Sequence, residues 1–223
     1  MVSASIKSSE IRFGECNKKL LEEVIFYGIS LGADFVELFI ENSDNSSVLA
    51  EEDFITNVSP SFSKGAGIRI FKDKRDGFVS TNDLSKHGLM RSISQAIEML
   101  DISKKTNKLI FNGLEKLKDY SKSKINWLNE VPTINEVSEK LLLSTKSLKK
   151  DKKVVVRKGS YARNWQEVII ASSDGTYATD IRLHQTVGLN IIANDAQYRS
   201  NGSRRFGSHG IPNEFRLWDH EKA

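Results

Sequence analysis

The sequence is poor in cysteine and proline and has no long apolar run. Cys16 is the only cysteine among 223 residues, which excludes an internal disulfide and a multi-cysteine metal site and suits a reducing cytoplasm. Three prolines and 14 glycines give no linker-like or collagen-like bias. No stretch approaches the roughly 20 apolar residues of a membrane span, and the first 15 residues lack the apolar core of a signal peptide. We therefore expect a globular, cytoplasmic chain without a membrane partner.

Catalytic motifs are also missing. The sequence contains no His-Glu-x-x-His, no Gly-x-Ser-x-Gly, no phosphate loop and no dinucleotide fingerprint. His220-Glu221 repeats half of a zinc motif, but no second histidine follows one helical turn later. His184 and His209 have no partners at metal-ligand spacing, and His87 is predicted on a helix surface. We expect no catalytic residue, metal site or cofactor in this chain, and the residues alone leave open whether it is an enzyme.

The charge pattern argues for solubility more than for nucleic-acid binding. The formal net charge is +4, with a pI near 9.0. Lysines concentrate in residues 104–124 and 146–153, the second group near a predicted helix end, where cations are favourable. Aromatic residues between these lysines are too sparse for a base-stacking platform. Nucleic-acid binding is a third alternative, and a steep salt dependence of DNA binding would indicate it.

The first half of the chain predicts helices on an antiparallel sheet. Apolar residues at helical spacing predict a helix over about Glu15–Leu31, which Gly32 ends. Cys16 then lies at a helix start, where the dipole can lower a thiol pKa, although we expect an idle thiol. Alternation predicts a strand over Asp34–Glu41, a turn at residues 42–47 and a return strand over Val48–Val58. We read Glu51, Glu52 and Asp53 as a charged sheet edge whose neighbouring side chains cannot clasp one cation.

A second hairpin, over residues 64–82, is the most distinct local pattern. Ile68 and Ile70 share one face of its first strand. Residues 72–77 form the predicted turn, in which Gly77 alone takes a positive φ without strain. An amphipathic helix over Leu84–Asp101 follows.

The second half begins with a lysine-rich segment and continues as helix and strands. We predict a linker over residues 102–131, and Thr133 and Glu136 form a capping-box pattern that opens a helix to about Lys149. Asp174-Gly175 is a hairpin signal. The fold class is therefore α+β, with residues 1–101 as a helix and antiparallel-hairpin layer and residues 132–223 as a helix and the start of an antiparallel β-meander. The four predicted strands of this meander are Val154–Trp165, Gln166–Ser173, Thr176–Leu183 and Thr186–Ala193.

Four segments together resemble the TldD/PmbA family of zinc-dependent peptidases and metal-free companion subunits, once named modulators of DNA gyrase. These segments are GADFVELF at 32–39, GAGIR at 65–69, DGFVST at 76–81 and YRSNGSRRFGSHGIPNE at 198–214. The last is similar to the segment that precedes the metal motif in TldD proteins. The resemblance covers nearly the whole chain but only about the first half of a family member.

The resemblance implies the N-terminal portion of a zinc metallopeptidase that cleaves unstructured peptides within a homo- or heterodimer of related subunits. The family's His-Glu-x-x-x-His segment is absent, so the chain would be a truncated or split copy that is inactive alone. The alternative is a non-catalytic regulatory subunit that pairs with a full-length relative. Candidate contacts to a peptide or partner lie in a predicted basic loop: Arg199, Arg204, Arg205 and His209.

Overall fold

The computed structural model describes residues 13, 16–101, 111–116, 131–195 and 197–209. These residues form three helices, a short 3-10 turn and seven strands. In chain order they are α1 Lys18–Ser30, β1 Phe35–Glu51, β2 Phe54–Lys72, β3 Arg75–Thr81, α2 Lys86–Met99, β4 Glu115–Lys116, α3 Ile134–Ser147, the 3-10 turn Leu148–Lys150, β5 Val154–Ser172, β6 Thr176–Asp195 and β7 Tyr198–His209. Most of the predicted linker at 102–131 lies outside the described residues.

The strands form one seven-stranded sheet in the order β3-β2-β1-β5-β6-β4, with β7 also paired to β6. β7 is antiparallel to β6, whereas the two residues of β4 are parallel to it. The expected α+β class and antiparallel meander are confirmed. None of the described helices combines the length and apolar character that crossing a membrane requires.

The chain divides into two compact units, each assembled from separate segments. The first comprises Met1–Asn42, Ser63–Tyr120 and Glu167–Asp180, and the second comprises Ser43–Phe62, Ser121–Gln166 and Ile181–Ala223. The division into domains at residues 101 and 132 stays a prediction.

The first unit packs α1 and α2 together, with α2 also against β3. Asn17 caps α1, and Gly32 follows the helix end with φ +102°, as predicted. Gly28 is required by close packing, because a Cβ there would lie 2.8 Å from Cγ2 of Val36. The apolar core of this unit includes Leu21, Val24, Ile25, Val36, Leu38, Ile40, Ile68, Ile70, Leu89 and Ile93.

The β2–β3 hairpin is confirmed, but its turn is shorter than predicted. Lys72 pairs with Arg75, so the loop is only Asp73-Lys74, and these two residues have φ values of +47° and +67°. Gly77 instead lies within β3 opposite Ile70. A Cβ at Gly77 would lie 3.1 Å from the Ala96 carbonyl oxygen, so this glycine serves helix packing rather than a turn.

The predicted turn at residues 42–47 is wrong, because β1 continues without a break to Glu51. Its polar residues find partners on β5: Asp44 and Ser46 accept hydrogen bonds from Arg163, and Asn45 accepts one from Asn164. These cross-strand bonds satisfy side chains that would otherwise favour a turn. The chain reverses at Glu52-Asp53, where Glu52 has φ +55°.

The second unit packs α3 on the sheet through Val137 and Leu141, which contact a core that includes Tyr161. The Thr133–Glu136 capping box is present. Two long strands, β5 and β6, replace the four predicted ones. The breaks expected after Trp165 and Leu183 are absent, and both of these side chains are buried in the core. The hairpin at Asp174-Gly175 is confirmed, with Gly175 at φ +100°.

Candidate functional site

The predicted basic loop is a regular edge strand. Residues 198–209 form β7, which pairs with β6 from Asp195↔Tyr198 to His184↔His209. Gly202 and Gly207 are ordinary strand positions here, and neither takes a positive φ. The expectation of a loop is therefore wrong, because twelve cross-strand pairs outweigh the low β-propensity of glycine. Nearly every β7 residue is exposed.

Alternation along β7 separates the four candidate contact residues. Arg199, Arg205 and His209 occupy odd positions and share one sheet face, whereas Arg204 lies on the other. Arg204 stacks on the ring of Phe206, with Cζ 4.9 Å from the ring centroid. The structure thus brings three of the four candidates to one face and assigns Arg204 a different contact.

Arg205 lies at a pocket of about 680 Å³ in the second unit. It pairs with Gly188, and its Nε is 4.0 Å from the position that a Cβ on Gly188 would take. Across the pocket, Lys158 is neutralised by Glu51 at 3.1 Å. No carboxylate among the described residues forms an ion pair with Arg205. The pocket therefore offers a guanidinium with free donors to an anionic group.

The structure brings together two histidines that are far apart in the sequence. His184 and His209 are exposed partners in the β6–β7 register, with Nδ1 atoms 3.2 Å apart and ring centroids 4.4 Å apart. Their separation of 25 residues gives no metal-ligand spacing, so only the strand register reveals the pair. The absence of partners at metal-ligand spacing is a property of the sequence, and the contact between the two rings comes from the fold.

The acidic triplet at 51–53 also differs from expectation. Glu52 accepts hydrogen bonds from the Arg157 backbone N–H and Nε, both at 2.9 Å, and Asp53 accepts one from Nη1 at 3.4 Å. Two neighbouring carboxylates can clasp one guanidinium because they lie in a turn rather than a strand. The backbone bond to Arg157, followed by the guanidinium, lowers the pKa of Glu52 below its usual value.

Cys16 lies just before α1 and is buried. Burial raises the pKa of its thiol to about 11, and the nearby Lys64 charge offsets this only in part. Desolvation therefore outweighs any helix-dipole effect, and the thiol is not activated.

In the described part of the chain, nowhere do three or more His, Cys, Asp or Glu side chains converge so that they could hold a metal ion. His87 is exposed on α2. His220-Glu221 and the predicted helical segment at 215–223 lie outside the described residues.

Two domain models of one family match the chain. PmbA/TldA metallopeptidase domain 1 matches residues 36–100, and the PmbA/TldA metallopeptidase central domain matches residues 127–222. Curated relatives include the Metalloprotease TldD homologues of Haemophilus influenzae and Buchnera aphidicola, which are 24% and 23% identical over 187 and 185 residues. These alignments cover 82% and 78% of this chain but only 37% and 36% of the relatives. The chain thus spans little more than a third of their length.

Solved structures share the fold. A putative modulator of DNA gyrase from Thermotoga maritima matches 92% of this chain with a TM-score of 0.71 and 14% identity. One from Bacteroides thetaiotaomicron covers 88% with a TM-score of 0.65 and 18% identity, and TldE from Thermococcus kodakarensis covers 84% with 0.69 and 21%. This chain covers 45%, 46% and 42% of those three chains. Since the two domain models together take in well over half of the sequence, the chain belongs to the PmbA/TldD metallopeptidase family.

Proposed function

We propose that this chain is the N-terminal scaffold and peptide-docking portion of a TldD-like metallopeptidase that acts on unstructured peptides. Family membership supplies the reaction class, and the exposed edge strand β7 is the observation that carries the proposal. The zinc-binding part of such an enzyme would lie outside these 223 residues.

Strand addition is the binding mode that β7 suits. On one side β7 pairs with β6, and among the described residues no strand pairs with its other side. An extended peptide can satisfy those backbone groups and place alternate side chains on the two sheet faces. Unstructured peptides are the substrates best able to adopt this conformation, because a folded protein would first have to unfold a segment.

Arg205 and Arg199 would favour peptides with carboxylates. They share a face of β7 and are separated by six residues, or about 20 Å of strand. A docked peptide of six or seven residues would reach both guanidinium groups. Each exposed contact is expected to contribute on the order of 1 kcal/mol, or about fivefold in affinity.

The isolated chain is expected to lack peptidase activity. A catalytic zinc ion needs three protein ligands and an open position. The described residues do not fit that requirement, since no three candidate ligands converge there. The 223-residue sequence also contains no His-Glu-x-x-x-His segment.

A regulatory role is the second candidate, and the same edge favours it. A strand of a full-length relative could pair with β7 in place of a peptide, since β-edge pairing does not distinguish the two. In that case the chain would change the rate of an already active partner and bind free peptide poorly.

Peptide binding tests the proposed docking role. We expect a fluorescent, unstructured acidic peptide to bind the full chain with an anisotropy change, and R205A and R199A each to weaken binding about fivefold. R75A is the matched control, because Arg75 is an exposed arginine at the β2–β3 turn and belongs to the other compact unit.

A backbone-modified peptide tests the binding mode. The same peptide N-methylated at alternate residues keeps its charges but loses N–H donors that strand addition requires. We expect it to bind at least about tenfold more weakly. Equal binding of both peptides, or equal loss in R75A and R205A, would contradict docking on β7.

A further inference from the structure

The His184–His209 pair has the geometry of two ligands to one metal ion. The rings are neighbours across β6 and β7, with their planes tilted by 42° and their Nδ1 atoms close together. Two nitrogens that each lie about 2.0–2.1 Å from an ion, at an angle of about 90–110°, are separated by about 2.8–3.4 Å. The observed 3.2 Å falls within this range.

We propose that His184 and His209 form a binding site for a first-row divalent transition metal, with Zn²⁺ and Cu²⁺ as the best candidates. Imidazole nitrogen suits these ions, whereas Mg²⁺ and Ca²⁺ prefer oxygen ligands. Both rings are exposed, so water or a carboxylate can fill the remaining positions.

The surroundings of the pair suit such an ion. His184 lines a pocket of about 490 Å³ together with Asn45 and Asn164, whose amide oxygens can accept hydrogen bonds from metal-bound water. Arg163 also lines this pocket, but Asp44 lies 3.3 Å from its Nη2 and offsets the charge.

Charge elsewhere on β7 adds little repulsion. Arg205 is four residues from His209 along the strand, or about 13 Å, which exceeds the Debye length at physiological salt. The field of this arginine at the histidine pair is therefore largely screened.

Metal binding would join the end of β7 to β6. Because the two ligands come from different strands, a bound ion bridges the antiparallel pair at one end of its twelve-residue ladder. Ligation by the folded form alone then stabilises the protein, and the stabilisation grows with the logarithm of the metal concentration once that exceeds Kd. Its two ligands differ from Arg199 and Arg205, which carry the proposed peptide docking, and two protein ligands do not make it the family's catalytic zinc centre.

Zinc titration of the full chain tests the site. We expect isothermal titration calorimetry of the metal-stripped protein to give one saturable Zn²⁺ site per chain. Either H184Q or H209Q should weaken binding at least about tenfold, since loss of a ligand costs no less than loss of an outer-shell partner. H87Q and H220Q are matched controls that remove the other two histidines.

A second readout separates ligation from a folding defect. Zinc should raise the midpoint of thermal unfolding of the wild type but not of the H184Q/H209Q double variant, whose far-UV circular dichroism should match the wild type. Copper bound to the wild type should show two nitrogen ligands by electron paramagnetic resonance. Zinc binding that survives in the double variant, or that H220Q removes, would overturn the proposal. So would a pair that binds neither ion and is joined by a hydrogen bond only.

Discussion

At the scale of single residues, the buried Arg157 connects several elements of the second unit through ion pairs and hydrogen bonds. Its side chain is only 5% exposed, whereas its partners Glu52 and Asp53 are 39% and 40% exposed. Arg157 Nη1 also donates to the Thr145 carbonyl oxygen at 3.1 Å, in the last turn of α3. One guanidinium therefore joins the β1–β2 turn, β5 and the end of α3.

Replacing Arg157 should destabilise the protein far more than replacing the adjacent Lys158. We expect R157A to lower the free energy of unfolding by about 2–4 kcal/mol, because it leaves Glu52 and the Thr145 carbonyl without a buried partner. K158A removes an exposed pair with Glu51 and should cost less than about 1 kcal/mol. Denaturant titration of both variants measures the difference, and equal losses would contradict this reading.

Acidic pH should weaken the fold through carboxylates whose pKa is lowered. Lys72 lowers the pKa of Asp34, and the Ser172 hydroxyl, followed by the Thr176 backbone N–H, lowers that of Asp174. The backbone hydrogen bond from Arg157 lowers the pKa of Glu52 as well. A pKa lower in the folded state means that the stability is present above the unfolded value, near 4, and is lost as pH falls through the folded value.

The variant D174N isolates one of these groups. Asparagine keeps an acceptor for the Thr176 N–H but does not titrate, so the stability advantage of the wild type over D174N should shrink as pH drops below about 4. Thermal unfolding at pH 7, 4 and 3 measures this difference. An advantage that stays constant or grows with acidification would contradict the assignment.

At the scale of secondary structure, the β2–β3 turn carries strain that a single substitution should relieve. Asp73 and Lys74 both have positive φ. A residue with a side chain loses roughly 1–2 kcal/mol in this left-handed conformation, whereas glycine adopts it without that cost. We expect K74G to raise the free energy of unfolding by up to about 1 kcal/mol, as Asp-Gly is the preferred pair for such loops.

R75G is the control for that substitution. Arg75 begins β3 at the next position, where φ is negative, so glycine should destabilise the strand by about 0.5–1 kcal/mol. A stabilising R75G or a destabilising K74G, measured by thermal unfolding, would show that the turn is not as described.

Most elements of this fold could be predicted from sequence, because helix stripes, the Thr133 capping box and the Asp174-Gly175 turn are local signals. The two wrong predictions of local structure share one cause, which is long-range strand pairing. Residues 42–47 and 198–209 have turn-like compositions, but partners on β5 and β6 hold them in strands. Long-range pairing thus outweighed local preference.

The candidate site was harder to predict for the same reason. The composition of β7 singled out Arg199, Arg205 and His209, but only the pairing of Gly188 with Arg205 and of His184 with His209 shows what they face. The available signal for that register was the close spacing of the two strands in the sequence, since β6 ends at Asp195 and β7 begins at Tyr198.

At the scale of the whole molecule, the chain carries two family domains but spans little more than a third of its curated relatives. The proposed role follows from this difference: the described residues provide an exposed edge strand, while a three-ligand zinc site is absent among them. Docking would then reside on β7, and zinc-dependent catalysis would reside outside these 223 residues.

Peptidase activity, measured with an unstructured peptide in excess Zn²⁺, tests this account most directly. The purified chain and its H184Q/H209Q variant should both be inactive. Cleavage should appear when either is mixed with a separately produced metal-binding half of a TldD relative, itself inactive alone. Chelator-sensitive cleavage by the chain alone would contradict the account, as would a mixture that stays inactive.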